Sequence, residues 1–224
     1  PKIPELDGGQ AWSALTIAGR WKSHHSMIME NICDFSHGYL HRDYRPFDNA
    51  KLTDVTPGED SLRISYDTDV AVGHLSQFFV DRKRHDTTKM DLGIDYPYQW
   101  SSTGGGIRHF CCLLPVDERT THAFFIFYFE HFRIPGLTAR MPKWLMGPVL
   151  RGAKKFYVAP LLAQDGFAVE AEQEAYDQHF DAPSAELNPV VHAIQALTVR
   201  KWEAYLASQA PTSSPTREKT RATS

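Results

Sequence analysis

The chain alternates hydrophobic and polar residues with two different periods, which divides it into strand-like and helix-like parts. In residues 61–133 the period is two: Leu62, Ile64 and Tyr66 alternate with polar neighbours, as in a strand with one buried face. We therefore predict an antiparallel meander over residues 61–133. Its later strands are predicted at 109–114 and 123–129, where aromatic, cysteine and aliphatic residues concentrate, with turns at 102–106 and 115–119.

Helical periodicity appears on both sides of the meander. Trp21, Ile28, Ile32 and Phe35 form an apolar stripe near the helical period, which predicts a helix over residues 20–41 with its last turn at Gly38. Helices flanking one antiparallel sheet define an α+β domain. The other predicted helices are 144–162, 164–178 and 189–207, and non-helical segments are predicted at 1–10 and 46–53.

The composition indicates one folded domain. The chain has 224 residues, 42% of them hydrophobic and 12% aromatic, which is enough for one substantial core. We expect a domain over residues 1–207 and a disordered Ser/Thr/Pro-rich tail over 208–224. The net charge of −3 argues against a nucleic-acid partner. No apolar run is long enough to span a membrane, and the expected location is cytoplasmic.

The cysteines and the first residue add two expectations. The three cysteines, Cys33, Cys111 and Cys112, are odd in number and lack the spacing of a disulfide framework. The sequence opens on Pro1 without a methionine or a signal peptide, which suggests a chain processed or cut from a longer one.

Residues 30–41 contain the clearest candidates for a chemical role. On a helix, Asp34, His37 and His41 would fall at i, i+3 and i+7 and so share one face, where two imidazoles can chelate one metal ion. A carboxylate one turn earlier could orient a ligand. Such a histidine pair is by itself a weak signal, because the chain has 11 histidines and pairs without a ligand role are common.

A wider comparison of this segment strengthens the metal hypothesis. The pattern Asn-x-x-Asp-x-x-His-x-x-x-His resembles the iron helix of Rieske non-haem iron oxygenase alpha subunits. Many members of that family have four residues between the histidines, whereas this chain has three, like the carbazole dioxygenase group. The phrase Glu-Asn-x-x-Asp-x-Ser-His is also similar to the pheophorbide and chlorophyllide oxygenase group. Residues 162–173 resemble the late acidic helix of the family, with Asp165 at the ligand position.

The resemblance implies a fold and a site. The fold would be the helix-grip arrangement, START-like and Bet v 1-like, with an antiparallel sheet packed by helices. His37, His41 and Asp165 would hold one mononuclear Fe(II), a triad that leaves positions open for dioxygen. Asp34 would bridge an iron ligand to a cluster on a neighbouring subunit, and Asn31 would supply an amide near the iron. Without the resemblance, an Asp at the start of a helix is more often a cap, so that reading of Asp165 stays open.

The resemblance also implies components outside this chain. Family members receive electrons from a Rieske 2Fe–2S cluster bound by one Cys-x-His and one Cys-x-x-His pair. The sequence contains neither pair, so we expect the Rieske domain to be missing and the chain to be inactive alone. A Rieske domain with a ferredoxin or reductase donor would supply electrons, and the full-length protein would form a homotrimer.

The expected activity is hydroxylation, dealkylation or ring oxidation of an aromatic or polycyclic small molecule with ferrous iron and dioxygen. Two other classes remain open at this point. A START-like module could bind a hydrophobic ligand without catalysis, and the same triad could hold zinc in a hydrolase. Metal analysis after ferrous loading would separate these alternatives.

Overall fold

A computed structural model describes residues 12–41, 44, 47–70, 88–130, 132, 140–179 and 186–209. Its centre is a seven-stranded antiparallel sheet. The strands are β1 Ser13–Trp21, β2 Phe47–Pro57, β3 Ser61–Val70, β4 Thr88–Asp95, β5 Tyr98–Thr103, β6 Ile107–Asp117 and β7 Thr120–Phe129. They lie in the order β1-β7-β6-β5-β4-β3-β2, so β3 to β7 form the predicted meander, β2 pairs with β3 at one edge, and β1 pairs with β7 at the other.

The helices pack on the sheet. Helix α4 (Pro189–Gln209) brings Val190, Ile194 and Leu197 against Leu62 and Ile64 of β3, and these five side chains are almost completely buried. Burial of each such side chain stabilises the fold by about 1.5–3 kcal/mol. The helices are α1 His25–Cys33, a 3₁₀ helix Phe35–Leu40, α2 Lys143–Ala153, a π-helical turn Lys154–Val158, α3 Ala159–His179 and α4 Pro189–Gln209.

The alternation of apolar residues located the middle of the sheet correctly. Leu62, Ile64 and Tyr66 are all buried in β3, whereas Arg63 between them is exposed. The glycine turn after β5 is also confirmed, because Gly104 and Gly105 have φ angles of 54° and 72°, which glycine adopts without steric cost. The second predicted turn is shorter than expected, since β6 continues to Asp117.

Two strands were missed in the sequence. Residues 13–21 form β1, so the predicted helix over 20–41 is wrong in its first turn. The predicted loop over 46–53 is also wrong, because β2 begins at Phe47. The pairing of β2 with β3 shifts register twice, and Asn49 has a φ of 51°. These bulges put extra residues into the strand and break the alternation that identifies a strand in sequence.

The helical half agrees better with the sequence. The predicted helix over 189–207 is α4, which ends two residues later, at Gln209. The predicted boundary near residue 163 is wrong, because α3 runs through it. The segment 1–10, the tail beyond 209 and residues 71–87, 131 and 133 of the predicted meander lie outside the described residues. Among the described helices, none is both long and apolar enough to cross a bilayer.

Candidate metal centre

His37 and His41 lie on a 3₁₀ helix and its end rather than on a continuous α-helix. Helix α1 ends at Cys33, and Asp34 follows in an extended conformation with φ −85° and ψ 101°. The Asp34 carboxylate accepts hydrogen bonds from Ser36 N and Ser36 Oγ, each at 2.8 Å, and so caps the 3₁₀ helix. The prediction that Asp34, His37 and His41 share one α-helical face is therefore wrong, because the aspartate starts a new helix.

The two histidine rings nevertheless lie close together. Their ring centroids are 5.1 Å apart and the ring planes meet at 78°. His41 is buried, with 2% of its surface exposed, and it follows the last residue of the 3₁₀ helix. A 3₁₀ helix has about three residues per turn, so the pair owes its approach to the change of conformation at His41.

Asp165 comes from the opposite side of the site, on α3. It is buried in the second turn of a helix that begins at Ala159, and the helix continues directly from the π-helical turn. The alternative that Asp165 caps a helix N-terminus is excluded, because that position lies inside the helix. π-Helical turns widen a helix locally and are frequent near functional sites.

These three residues converge on one point. Nε2 of His37 lies 3.5 Å from Oδ1 of Asp165, and Nε2 of His41 lies 3.3 Å from the same oxygen. One ligand atom from each residue lies within 4.8 Å of the other two. Oδ1 of Asp165 is buried and has no hydrogen bond of acceptable geometry in the described structure. A buried carboxylate oxygen without a partner, beside two imidazole nitrogens, fits a divalent metal ion.

The other nitrogen of each ring is already engaged. Nδ1 of His37 bonds to the backbone carbonyl of Asp34, and Nδ1 of His41 bonds to Oε1 of Gln164 at 3.1 Å. Both acceptors are oxygens, so each Nδ1 must carry the proton. When the rings are neutral, this leaves the lone pair on both Nε2 atoms, which point toward Asp165. Metal-bound histidines commonly have their second nitrogen fixed in this way.

The electrostatics of the two histidines differ. Burial lowers the pKa of His37 below its ordinary value, although the nearby Asp165 carboxylate opposes this effect. Burial also acts to lower the pKa of His41, but Asp165 and Gln164 outweigh it and hold that pKa above its ordinary value. A neutral His37 is ready to bind a metal. A charged His41 would first have to lose the proton on Nε2, which a cation beside Asp165 would displace.

Asn31 and Asp34 occupy different positions relative to this triad. Asn31 borders the same cavity as His37 and Asp165, and its Oδ1 is buried without a partner. Asp34 contacts His37 through its backbone carbonyl, while its carboxylate is partly exposed and accepts a 2.7 Å hydrogen bond from Asn188 Nδ2. Asn188 immediately precedes α4, and no pattern in the sequence indicated a role for it.

An apolar cavity of about 210 Å³ lies against the triad. His37, His41 and Asp165 form part of its wall, so a metal held by them would have open positions facing this space. Aromatic residues line it from the sheet side, including Phe125 and Phe127 of β7.

Three polar residues of the site were missed in the sequence. Gln164 fixes His41, and Gln99 and His109 lie in the cavity wall on β5 and β6. The sequence offers one indication of them: each occupies an inward position of a strand or helix where an apolar residue is expected. Without the sheet register, that indication cannot be distinguished from an ordinary polar residue.

Comparison with known proteins agrees with this geometry. Residues 21–209 match the family described as Vanillate O-demethylase oxygenase C-terminal domain. The chain belongs to this family. Membership confirms the expected resemblance to Rieske-type oxygenases and their catalytic portion. Non-haem iron is the metal that this family implies.

A curated relative supports the same assignment, and two solved structures share the fold. The chain is 41% identical over 208 residues to a 4beta-methylsterol monooxygenase of Methylococcus capsulatus, which covers 93% of this chain and 56% of that protein. Dicamba monooxygenase bound to 3,6 dichlorosalicylic acid superposes with a TM-score of 0.67 at 15% identity, over 94% of this chain and 64% of that one. The quaternary ammonium Rieske monooxygenase CntA superposes with a TM-score of 0.58 at 11% identity, over 85% of this chain and 49% of that one.

These comparisons separate what is confirmed from what stays a prediction. The α+β fold with a helix-packed antiparallel sheet is confirmed and matches the helix-grip arrangement of Rieske oxygenase catalytic domains. The comparison with START-like and Bet v 1-like proteins stays a prediction. Dicamba monooxygenase has also been solved with non-haem iron. The chain spans just over half the length of its curated relative.

Proposed function

We propose that this chain is the iron-binding catalytic domain of a Rieske-type monooxygenase that oxidises an apolar polycyclic molecule. The observation that carries the proposal is the meeting of His37 Nε2, His41 Nε2 and an unpartnered Asp165 oxygen within 4.8 Å, beside an apolar cavity. Two neutral imidazoles and one carboxylate form the donor set of non-haem ferrous oxygenases. In such a site, bound Fe(II) supplies activation of dioxygen.

The protein residues have definite tasks in this proposal. His37, His41 and Asp165 hold the iron, and the hydrogen bonds to Asp34 O and Gln164 Oε1 keep both Nε2 lone pairs directed at it. The apolar wall excludes water from the reacting carbon and so limits side reactions. Asn31 presents an amide to the same space.

Asp34 is proposed as the residue through which electrons enter. Its carbonyl contacts the His37 ring, and its carboxylate is fixed by Ser36 and Asn188 at the edge of a groove of about 1530 Å³. The residue therefore offers a short path, through its own covalent bonds and one hydrogen bond, from a surface carboxylate to the ring of His37. A Rieske 2Fe–2S domain outside this chain, reduced by a ferredoxin or reductase, would dock at this groove. In the full-length protein it would come from the neighbouring subunit of a homotrimer, and the assembly would be cytoplasmic.

The cavity and the curated relative support the proposed substrate class. The residues described enclose about 210 Å³, which is less than the ~300–1,000 Å³ of typical small-molecule pockets. That space would hold the reacting end of a long apolar molecule, or one small aromatic ring. The 41% identical relative is a 4beta-methylsterol monooxygenase, which favours an alkyl carbon on a fused-ring substrate.

Metal loading tests the proposal directly. The chain would be loaded with ferrous iron without oxygen, desalted and analysed for bound iron, beside His37→Ala, Asp165→Asn and the control His192→Ala. His192 is an exposed histidine of α4, so its loss should not change iron content. One equivalent of iron in the wild type and control, with loss in the other two, supports the proposal. Retention of iron in His37→Ala, or tight zinc with hydrolytic turnover, would contradict it.

A further inference from the structure

Unpartnered polar atoms are concentrated at the apolar cavity. Besides Asp165 Oδ1, the cavity residues Asn31, Gln99 and His109 each have a buried side-chain atom with no hydrogen-bond partner in the described structure: Oδ1, Oε1 and Nε2 respectively. Leaving a buried polar atom unpaired is unfavourable for the folded state. A metal ion accounts for Asp165, but Gln99 and His109 belong to strands on the opposite wall.

Gln99 is held with its acceptor free. Its side chain is fully buried in β5, and Nε2 donates to the carbonyl of Trp100 at 3.1 Å. This bond fixes the orientation of the amide, because the carbonyl of Trp100 can only accept. Oε1 is therefore the atom left without a partner, and it can only accept a hydrogen bond.

His109 lies diagonally across the strand pair from Gln99. In the β5–β6 register Gln99 pairs with Cys111 and Ser101 pairs with His109, and such diagonal neighbours on one face are within reach of long side chains. The His109 ring stacks on Phe127, with centroids 4.6 Å apart and planes at 23°, and also stands against Phe125. Burial lowers the pKa of His109 to about 4, so the ring is neutral near pH 7.

Together these groups match a hydroxyl better than an ion. A hydroxyl can donate to Gln99 Oε1 and accept from His109 Nε2 in the tautomer that carries the proton there. A carboxylate cannot donate to Gln99, and no Lys or Arg lies among the described residues that line the cavity. An unpaired buried charge is far more costly than an unpaired hydroxyl.

We propose that Gln99 and His109 form the recognition site for a single hydroxyl group on an otherwise apolar substrate. The inference rests on the proposed function in one respect: the cavity beside the triad is taken as the substrate site. It deepens that function by assigning the substrate to neutral alcohols with a fused-ring body, and by excluding carboxylate substrates.

The test compares three probes that differ at one group. These are 4-methylcholestan-3-ol, its 3-O-methyl ether and the corresponding 3-carboxylic acid, delivered from cyclodextrin, with dissociation constants measured by competition against a fluorescent sterol on the iron-loaded full chain. The wild type should bind the alcohol roughly tenfold more tightly than the ether, because the ether cannot donate to Gln99. The carboxylate should bind more weakly than either.

The variants are chosen to keep the shape of the cavity. Gln99→Leu and His109→Phe should each reduce the ratio of alcohol to ether affinity to near one, whereas Met90→Leu, an apolar wall residue of similar volume, should leave it unchanged. If Gln99→Leu does not fold, His109→Phe still tests the site, since the new ring can keep the stacking on Phe127.

The outcomes separate this inference from the proposed function. Three results, each with normal iron content, would overturn the hydroxyl site without contradicting the iron centre. They are equal affinity for alcohol and ether, no binding of either, and a preference for the carboxylate. A ratio that falls in the two variants but not in the control supports it. Iron that survives His37→Ala would instead overturn the proposed function, whatever the probes do.

Discussion

Oε1 of Gln164 lies 3.1 Å from Nδ1 of His41, while Oδ1 of the next residue, Asp165, lies 3.3 Å from Nε2 of the same ring. Two consecutive residues of α3 therefore address both nitrogens of one histidine. The first fixes the tautomer and the second shares the proposed metal. The orientation of His41 thus depends on the helix that also carries Asp165. Substitution of Gln164 or Asp165 should therefore change metal affinity.

Gln164→Leu should weaken iron binding while the protein stays folded. Leucine has a similar volume but cannot accept a hydrogen bond from His41 Nδ1. The ring therefore loses the bond that fixes its tautomer. Loss of such a supporting hydrogen bond typically costs 10–100-fold in metal affinity. Iron affinity measured by competition with a chelator checks this, and Gln178→Leu, an exposed change on the same helix, is the control. Equal affinity in both variants would show that Gln164 does not orient the ring.

Gly166→Ala should destabilise the fold and weaken the site. A Cβ at Gly166 would lie 2.8 Å from Nε1 and 3.1 Å from Cε2 of Trp21, a buried side chain of β1. Moving α3 away from β1 would also displace Asp165, and overpacking of this kind costs about 1–3 kcal/mol. Chemical denaturation and iron content are the measurements.

Gly152→Ala is the matched control for that change. A Cβ at Gly152 meets no atom within 4 Å, and the residue is inside α2. Alanine should there be neutral or stabilise by up to about 1 kcal/mol, because it is the better helix former. A destabilisation as large as that of Gly166→Ala would mean that loss of glycine itself, rather than contact with Trp21, is responsible.

The sequence predicted which residues come together better than it predicted the backbone that carries them. His37, His41 and Asp165 were selected by resemblance, and the structure brings the three together. The continuous helix expected around the histidines does not form, because the Asp34 carboxylate caps Ser36 and starts a new helix. Asp-x-Ser is compatible with both outcomes, and the choice depends on tertiary contacts such as that with Asn188.

The cavity could not be predicted from the sequence for a related reason. Gln99 and His109 become neighbours only through the register of β5 and β6, which the sequence does not specify. The alternation of Leu62, Ile64 and Tyr66 did predict a buried strand, because it depends only on local period. Local period thus identified single elements, and the contacts between elements that build the site required the structure.

Asp34→Asn should keep iron and lose turnover when the chain is joined to its electron donor. The backbone carbonyl that bonds His37 is unchanged, and asparagine can still bond Ser36, so the metal ligands should remain in place. What the variant loses is the negative charge proposed to face the Rieske cluster. Iron content and oxygen consumption with a reduced Rieske partner are the readouts. Full turnover in Asp34→Asn would refute the electron-transfer role.

The stability of the protein should fall between about pH 4.5 and 7 because of Glu30. Burial raises the pKa of this carboxyl to about 7; the hydrogen bond from Gln195 opposes the shift, and Glu172 and Glu186 add to it. The folded protein therefore keeps a proton that the unfolded chain releases above about pH 4.5. Since the folded state binds more protons in this window, the free energy of unfolding decreases as the pH rises through it.

Glu30→Gln removes this dependence without removing the contact to Gln195. At pH 8 the variant should be more stable than the wild type by about 1–2 kcal/mol, less than the full shift implies because the side chain is partly exposed to solvent. At pH 4, where Glu30 is protonated in both states, the two proteins should be equally stable. Urea denaturation at both pH values measures the difference. Glu203→Gln, an exposed change on α4, serves as the control, and a pH-independent gain in Glu30→Gln would show that burial of the charge is not its cause.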